Sequence, residues 1–328
     1  MKVLLTGGAG YIGSHANKLL NRNGVETVVL DNLSRGHAEA VKWGRLEVLD
    51  LLDYESLARL FRAEHFDAVL HFAAYIFVGE SVKDPETYYL NNVVGSLNLL
   101  RAMREHSVDK IIFSSTAAVY GTPRQLPIPE KHPLEPISPY GWSKLAIERM
   151  IIDYGRAFGM RSIIFRYFNA AGADPECETG ENHDPENHLI PLVLKAALDP
   201  GRTVTVFGTD YDTRDGTCIR DYIHVNDLTE AHLLGLQNLI EGQSDEGELS
   251  KVYNIGNGSG FSVQEVIETS ARVTGRAPSV RYGARRAGDP PVLVASSDKL
   301  RSELGWKPRY PDLESIIAHA WAWEQKLA

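Results

Sequence analysis

The chain has 328 residues, enough for one large domain or two smaller ones, and its 43% hydrophobic content is ordinary for a globular protein. Its 34 basic and 43 acidic residues give a net charge of −9, which excludes the basic surface typical of nucleic-acid or membrane binding. Cys177 and Cys218 form no CxxC motif and the histidines form no HExxH motif, so neither a disulfide framework nor a metal site is predicted.

The amino terminus does not have the pattern of a signal peptide. Its apolar run at residues 3–5 leads directly into a glycine loop, with no longer hydrophobic region. The chain also contains no stretch of about 20 apolar residues that could span a bilayer. We therefore expect a cytoplasmic protein with no membrane partner.

The first half alternates short apolar runs with amphipathic stretches, the pattern of a doubly wound parallel sheet. The predicted strands cover residues 3–7, 26–31, 46–50, 67–73, 110–115 and 162–168, and the predicted helices cover residues 12–23, 54–64, 92–106 and 140–158. This order predicts a Rossmann-type α/β domain over residues 1–170.

The composition of the sequence changes after residue 170, because residues 171–188 are polar and rich in Gly, Pro and acidic residues. The elements predicted beyond them are helices near 189–198, 226–240 and 262–274, and strands at 203–208 and 252–256. We predict a smaller α/β substrate-binding domain over residues 171–328, some later segments of which fold back onto the first domain.

The sequence TGGAGYIGS at residues 6–14 joins the first strand to the first helix, with Gly7, Gly10 and Gly13 spaced as GxxGxxG. Such a turn lets backbone N–H groups approach a pyrophosphate at the positive end of the helix. Asp31 ends the second strand, where a carboxylate binds ribose hydroxyls and repels a 2′-phosphate, which favours NAD over NADP. The nearby Arg35 weakens that preference.

The sequence SPYGWSK at residues 138–144 predicts a helix capped by Ser138, with Tyr140 and Lys144 on one face. A nearby ammonium, the helix's positive end and a cationic nicotinamide would all lower the pKa of the phenol, so that it could act as a base. Thr116 follows the fifth strand at the sheet edge where ligands of such folds bind, and its hydroxyl could donate to the reacting oxygen.

Seven motifs in this order give a specific resemblance: TGGAGYIGSH, DNLSRG, HFAA with VGES, SSTAAVYG, SPYGWSK, FRYFNAAGA and RDYIHVNDL. Together they resemble the extended short-chain dehydrogenase/reductase family, and in particular its nucleotide-sugar 4-epimerases, over nearly the whole chain. The resemblance implies tightly held NAD, a UDP-sugar substrate and a homodimer packed through helices of the cofactor domain. It also implies that UDP-glucose and UDP-galactose are interconverted.

The same resemblance assigns roles residue by residue. Tyr140 corresponds to the catalytic base, Lys144 to its partner on the nicotinamide ribose, and Thr116 to a position where many members have serine. The implied cofactor-binding residues are Gly7, Gly10, Tyr11, Ile12, Gly13, Asp31, Asn32, Asp50, Leu51, Phe72, Ala73, Ala74, Asn91, Thr116, Tyr140, Lys144 and Phe168. One departure is Ile76, where some members have a lysine that contacts the cofactor.

The implied substrate-binding residues are Thr116, Asn169, His188, Leu189, Val206, Phe207, Arg220, Arg286, Asp289 and Leu293. Two arginines suit a diphosphate because each guanidinium offers forked donors. Asp289 could accept from the uridine ribose, and the strand with Phe207 could lie against the uracil. The arginines could instead form surface ion pairs, and His188 could instead cap a helix at a position where asparagine is frequent in the family.

The predicted reaction is reversible oxidation at C4: Tyr140 takes the hydroxyl proton, hydride moves to NAD, the ketosugar turns and hydride returns to its other face. A dehydratase would need acidic residues beside Thr116, whereas Ala117 and Ala118 follow it. The residues leave two more functions open: a 4-epimerase of another UDP-sugar (UDP-GlcNAc/GalNAc, a UDP-pentose or a UDP-uronate) and a non-catalytic NAD-sensing protein.

Overall fold

The computed structural model describes residues 1–242, 248–286 and 289–328. The chain forms two compact units. Unit 1 consists of Met1–Thr122, Pro133–Tyr167 and Thr229–Asn254, and unit 2 consists of Pro123–His132, Phe168–Leu228 and Ile255–Ala328. None of the described helices is both long and apolar enough to cross a membrane.

The strands are β1 (Lys2–Thr6), β2 (Glu26–Asp31), β3 (Arg45–Val48), β4 (Ala68–His71), β5 (Lys110–Thr116), β6 (Arg161–Tyr167), β7 (Asn169–Ala171), β8 (Val204–Phe207), β9 (Ile219–Arg220), β10 (Tyr222–His224), β11 (Ser250–Ile255), β12 (Phe261–Ser262), β13 (Val280–Gly283) and β14 (Val292–Leu293). The helices are α1 (Tyr11–Arg22), α2 (Tyr54–Ala63), α3 (Val78–Lys83), α4 (Pro85–Tyr88), α5 (Gly95–Glu105), α6 (Pro139–Phe158), α7 (Leu189–Leu198), α8 (Val225–Glu241), α9 (Val263–Thr274), α10 (Asp298–Leu304) and α11 (Leu313–Leu327), with a π-helical turn at Tyr89–Val94.

Unit 1 is built on a seven-stranded sheet of order β11-β6-β5-β4-β1-β2-β3, in which β1 to β6 pair in parallel. Apolar side chains of the central strands pack against those of α2, α5 and α6 to form its core. The predicted doubly wound α/β class is confirmed. Because the carboxyl ends of parallel strands share one edge, the loops after β1, β2, β4 and β5 start from the same edge of the sheet.

Unit 2 has shorter elements. Its core joins α7, α9 and α11 with apolar residues of β7, β8 and β10. Its small sheets pair β10 with β7, β13 with β8, and β9 with both β12 and β14. The strands of two to four residues in these sheets were mostly not predicted, because so short an apolar run has no clear period.

Candidate active site

The loop between β1 and α1 depends on two glycines for its own packing. Gly7 has a φ of +73°, and a Cβ there would lie 2.5 Å from the backbone nitrogen of Ala73. A Cβ at Gly13 would lie 2.3 Å from the carbonyl oxygen of Gly7. The chain therefore requires glycine at both positions, whatever the loop binds.

Gly10 has a different environment. A Cβ there would meet only the Gly7 carbonyl oxygen, at 3.4 Å, which is ordinary contact. Gly10 also precedes α1 in an extended conformation, and within the described residues no side chain caps this helix. Packing does not explain the glycine, whereas close approach of a pyrophosphate to the start of α1 does. Tyr11 and Ile12 form the first turn of the same helix.

Asp31 ends β2 and is nearly buried. Its Oδ2 accepts the N–H of Ala9 at 3.0 Å and its Oδ1 accepts that of Leu33 at 2.9 Å. Burial raises the pKa of this carboxyl, and the two backbone donors oppose that change. Each oxygen has capacity for a second hydrogen bond, which fits ribose hydroxyls. Arg35 pairs with Glu80 at 2.7 Å, so its charge is already engaged.

The other predicted cofactor residues lie on the loops after β2, β3 and β4. Asn32 donates to Asp50 at 2.9 Å, and the carbonyl of Leu51 accepts the Asn98 amide at 2.9 Å. The residues that follow β4 include Phe72, Ala73 and Ala74, of which the first two donate their backbone N–H groups to the carbonyl of Thr6. Asn91, in the π-helical turn, donates to Asn92. Ile76 is 37% exposed.

Tyr140 and Lys144 lie at the start of α6, and Thr116 ends β5. Ser138 caps α6 by accepting the N–H of Gly141 at 3.2 Å. Tyr140 is 8% exposed, and its phenol hydrogen-bonds the hydroxyl of Thr116. The ammonium of Lys144 donates to the carbonyl of Ser114 at 2.8 Å. The three predicted catalytic residues are therefore brought together.

The electrostatics of this group differ from the prediction in one respect. Burial raises the pKa of Tyr140 to about 12, and the hydrogen bond from Thr116 opposes that change only in part. Burial also lowers the pKa of Lys144 to about 7, against the charge of Glu148. For the chain's own groups the pKa of the tyrosine is raised and not lowered as predicted, because desolvation of a tyrosinate outweighs the hydrogen bond from Thr116.

A buried ion pair behind these residues was not predicted. Glu148 accepts the guanidinium of Arg166 through Nε at 2.9 Å and Nη2 at 2.6 Å, and it also accepts the hydroxyl of Ser115. Glu148 follows Lys144 by four residues, as Lys144 follows Tyr140, so all three fall on one face of α6. That spacing was the available signal in the sequence.

In unit 2, several predicted substrate residues form one group. Arg220 at the end of β9 pairs with Asp289 and donates to the carbonyl of Ile219 at 2.9 Å. Asp289 donates its N–H to the carbonyl of Arg286, whose guanidinium lies 4.0 Å from the ring centre of Phe207. Leu293 is the register partner of Arg220 between β14 and β9.

The remaining predicted residues have other surroundings. The side chain of Val206 is buried in the core, so only its backbone could contact a ligand. Phe168 is half-buried, and Asn169 starts β7, where its backbone N–H donates to the carbonyl of Asp221 at 3.0 Å. His188 precedes α7 and Leu189 begins it, and the Nδ1 atom of His188 contacts Glu181. Burial lowers the pKa of His188, but Glu181 and Glu186 outweigh it and raise it to about 9.

The glycine loop, the acid after β2 and the tyrosine–lysine pair together define a dinucleotide-dependent enzyme of the short-chain dehydrogenase type. The chain belongs to the NAD dependent epimerase/dehydratase family, whose sequence model matches residues 3–256. The predicted family, enzyme class and cofactor are thereby confirmed.

Three of the most similar proteins are UDP-glucose 4-epimerases. This chain is 50% identical over 327 residues to a UDP-glucose 4-epimerase of Halalkalibacterium halodurans, covering 99% of this chain and 96% of that one. Among solved structures, the UDP-glucose 4-epimerase of Brucella ovis in complex with NAD matches with a TM-score of 0.93 and 47% identity, covering 98% of this chain and 97% of that one. That of Bifidobacterium longum in complex with NAD+ and UDP matches with a TM-score of 0.92 and 37% identity, over 99% and 98% of the two chains. These relatives support the predicted 4-epimerase reaction over a dehydratase or a sensor.

Proposed function

We propose that this protein interconverts UDP-glucose and UDP-galactose by reversible oxidation at C4 of the sugar. The observation that carries the proposal is the buried phenol of Tyr140, hydrogen-bonded to Thr116 and preceding Lys144 by one helical turn. A buried acid–base group at the carboxyl end of a central strand suits proton transfer to and from a sugar hydroxyl. The activity shared by the relatives supports the same reaction.

NAD would be held by the residues described around the glycine loop. The start of α1 behind Gly10 suits its pyrophosphate, and Asp31 suits a ribose with both hydroxyls free. When bound, NAD would supply the hydride acceptor for C4 of the sugar and, in its reduced form, the hydride donor to the opposite face. Because the dinucleotide is regenerated, no net oxidation of the sugar results.

Proton transfer is the task of Tyr140. With its pKa near 12 in the protein alone, the phenol is protonated at neutral pH and needs an additional positive charge to become a base. Lys144, whose pKa burial lowers to about 7, is only partly protonated at neutral pH and so contributes part of that charge. The cationic ring of NAD would supply further positive charge when the cofactor is bound, and we assign to Thr116 the donation of a hydrogen bond to the oxygen that reacts.

We assign the nucleotide to the group around Arg220. A guanidinium has five N–H donors, so Arg220 can keep Asp289 and also bind a phosphate oxygen. The guanidinium of Arg286 lies over the ring of Phe207. The charge suits a phosphate, and the ring suits a base. The side chain of Leu293 is smaller than that of a tyrosine would be, which leaves more room for an N-acetyl group on the sugar. UDP-GlcNAc and UDP-GalNAc are therefore the second substrate pair.

We also propose a cytoplasmic homodimer. Unit 1 exposes apolar side chains on α3, the π-helical turn and α5, namely Val78, Val82, Tyr89, Leu90, Val94 and Leu97. Leu90, Val94 and Leu97 recur at helical spacing and so share a face. Apolar residues grouped in this way favour association with a second copy.

The test is direct assay of the purified protein with UDP-galactose, UDP-GalNAc and UDP-arabinose in separate reactions, each with and without added NAD. The proposal predicts formation of the C4 epimer with no accumulation of reduced dinucleotide, fastest with UDP-galactose. Net reduction of NAD, or a product that has lost water, would contradict it. A requirement for added NAD would indicate weak retention of the cofactor. That result is expected if Ile76 replaces a lysine that contacts the cofactor in other members of the family.

A further inference from the structure

Four side chains with metal-ligating atoms converge on the connection between β7 and α7 in unit 2. They are Glu181, His183, Glu186 and His188, and one ligand atom from each lies within 4.8 Å of the others. No metal site was predicted from the sequence, because it contains neither a CxxC nor an HExxH motif. The spacing here, ExHxxExH, matches neither pattern.

The distances between these atoms are close to those of a coordination sphere. The Nδ1 atom of His183 lies 3.1 Å from Oε1 of Glu181 and 3.9 Å from Oε2 of Glu186. The Nδ1 atom of His188 lies 3.6 Å from Oε1 of Glu186 and also contacts Glu181. A tetrahedral zinc ion with bonds of about 2.0–2.1 Å would hold its ligand atoms roughly 3.3 Å apart.

Glu186 is poorly satisfied without an ion. Its side chain is 6% exposed, yet within the described residues Oε2 has no hydrogen-bond partner. The ammonium of Lys195 lies 4.0 Å from this oxygen, beyond hydrogen-bonding distance, and also lies 3.9 Å from Glu324. A buried carboxylate oxygen with no donor is destabilising, so Oε2, which lies 3.9 Å from the Nδ1 atom of His183, points to a missing ligand.

The local charge also favours a divalent cation. The ammonium of Lys195 lies near two carboxylates, those of Glu186 and Glu324, and a third carboxylate, that of Glu181, belongs to the same cluster as Glu186. A divalent ion held by neutral imidazoles would compensate the carboxylates that this one ammonium does not neutralise. Lys195 would then keep Glu324 as its partner.

We propose that Glu181, His183, Glu186 and His188 bind one divalent transition-metal ion, for which zinc is the best fit. Two imidazole nitrogens with two carboxylate oxygens suit zinc, whereas calcium and magnesium prefer oxygen ligands alone. With all four positions filled by protein, the ion is structural: it ties residues 181–188 to the start of α7. Metal binding does not depend on the proposed reaction, because none of the four residues needs NAD or a sugar to converge.

The test uses the full-length protein, stripped of metal with a chelator and then loaded separately with Zn²⁺ and Co²⁺. We expect one Zn²⁺ per chain to survive gel filtration, as measured by elemental mass spectrometry. Bound Co²⁺ should show the intense visible absorption of a tetrahedral site. Absence of retained zinc, or only the weak bands of octahedral cobalt, would overturn the proposal and leave a network of protonated imidazoles.

Two variants locate the ion. Glu186→Gln and His183→Gln should each lower the Zn²⁺ affinity at least about tenfold and remove the cobalt bands, because each deletes a ligand. The matched control is Glu176→Gln, on the neighbouring acidic group of Asp174, Glu176 and Glu178, which should bind metal normally. Loss of uptake in the control but not in Glu186→Gln would place the ion in that acidic group and refute the assignment.

Discussion

The buried pair of Glu148 and Arg166 supports the helix that carries the catalytic residues, and its removal is the most quantitative prediction. Arg166 donates twice to Glu148 and once to Tyr120, the last at 3.1 Å, and both charged side chains are at most 5% exposed. Glu148→Gln keeps the size of the side chain but removes the charge that offsets the guanidinium.

Deleting one partner of a buried ion pair typically costs about 3–5 kcal/mol, because the other charge is left without compensation in a low-dielectric interior. For a unit of about 150–250 residues, each kcal/mol lowers Tm by about 2–4 °C, so we expect a decrease of roughly 10 °C. Replacing both partners with apolar residues of similar volume, as in Glu148→Leu with Arg166→Met, should recover most of that loss.

Thermal and urea unfolding of the single and double variants would measure this coupling. The matched control is Asp153→Asn, which breaks the exposed pair of Arg149 and Asp153 at 3.0 Å on the same helix and should cost less than about 1 kcal/mol. If Glu148→Gln were no less stable than Asp153→Asn, Glu148 would not be compensating a buried charge on Arg166, and the expected loss of stability would be refuted.

Three further predictions concern other parts of the chain. Burial lowers the pKa of Lys144 to about 7, so above that pH the unfolded chain binds more protons than the folded one and the free energy of unfolding should rise. Lys144→Met should reduce the gain in urea stability between pH 7 and pH 9, and an equal gain in both proteins would contradict the buried ammonium. Arg220→Ala should raise KM for UDP-galactose about 10–100-fold with little change in kcat. The control Arg285→Ala, which breaks the exposed pair with Asp210, should leave KM nearly unchanged. Equal effects of the two substitutions would remove Arg220 from the site. Leu90→Lys should convert the proposed dimer to a monomer in light scattering, whereas Leu327→Lys, at a similarly exposed position, should not. A dimer in both variants would place the interface elsewhere.

The sheet of unit 1 could be predicted because most of its strands are buried on both faces, with β3 at the edge as an exception. Each is a nearly continuous apolar run between glycine-rich or polar breaks, and the predicted bounds differ from the structure by at most two residues at each end. Most helices of ten residues or more were predicted from an apolar face that repeats at helical spacing, but α11 was not, although its buried residues have that spacing. The segment Val78–Val94 was not, because it breaks into two short helices and a π-helical turn, with a proline starting the second.

At the site, residues carried by local motifs were easier to predict than residues brought together by the fold. Tyr140 and Lys144 are four apart on one helix, so their proximity follows from helical geometry. Arg166 lies on a different element from Glu148, and nothing in the spacing of the two indicates a contact. The same holds for the Tyr140 pKa, since the depth of burial that raises it depends on the packing of several elements.

The central claim is that the phenol of Tyr140 performs the proton transfer at C4. Its most direct test is Tyr140→Phe, assayed with UDP-galactose and examined for bound NAD in the same preparation. The account predicts a fall in kcat of about 10²–10⁴-fold, the usual contribution of a general base, with NAD still bound and the fold intact. Near-normal turnover in this variant would show that another group moves the proton, and would remove Tyr140 from the mechanism.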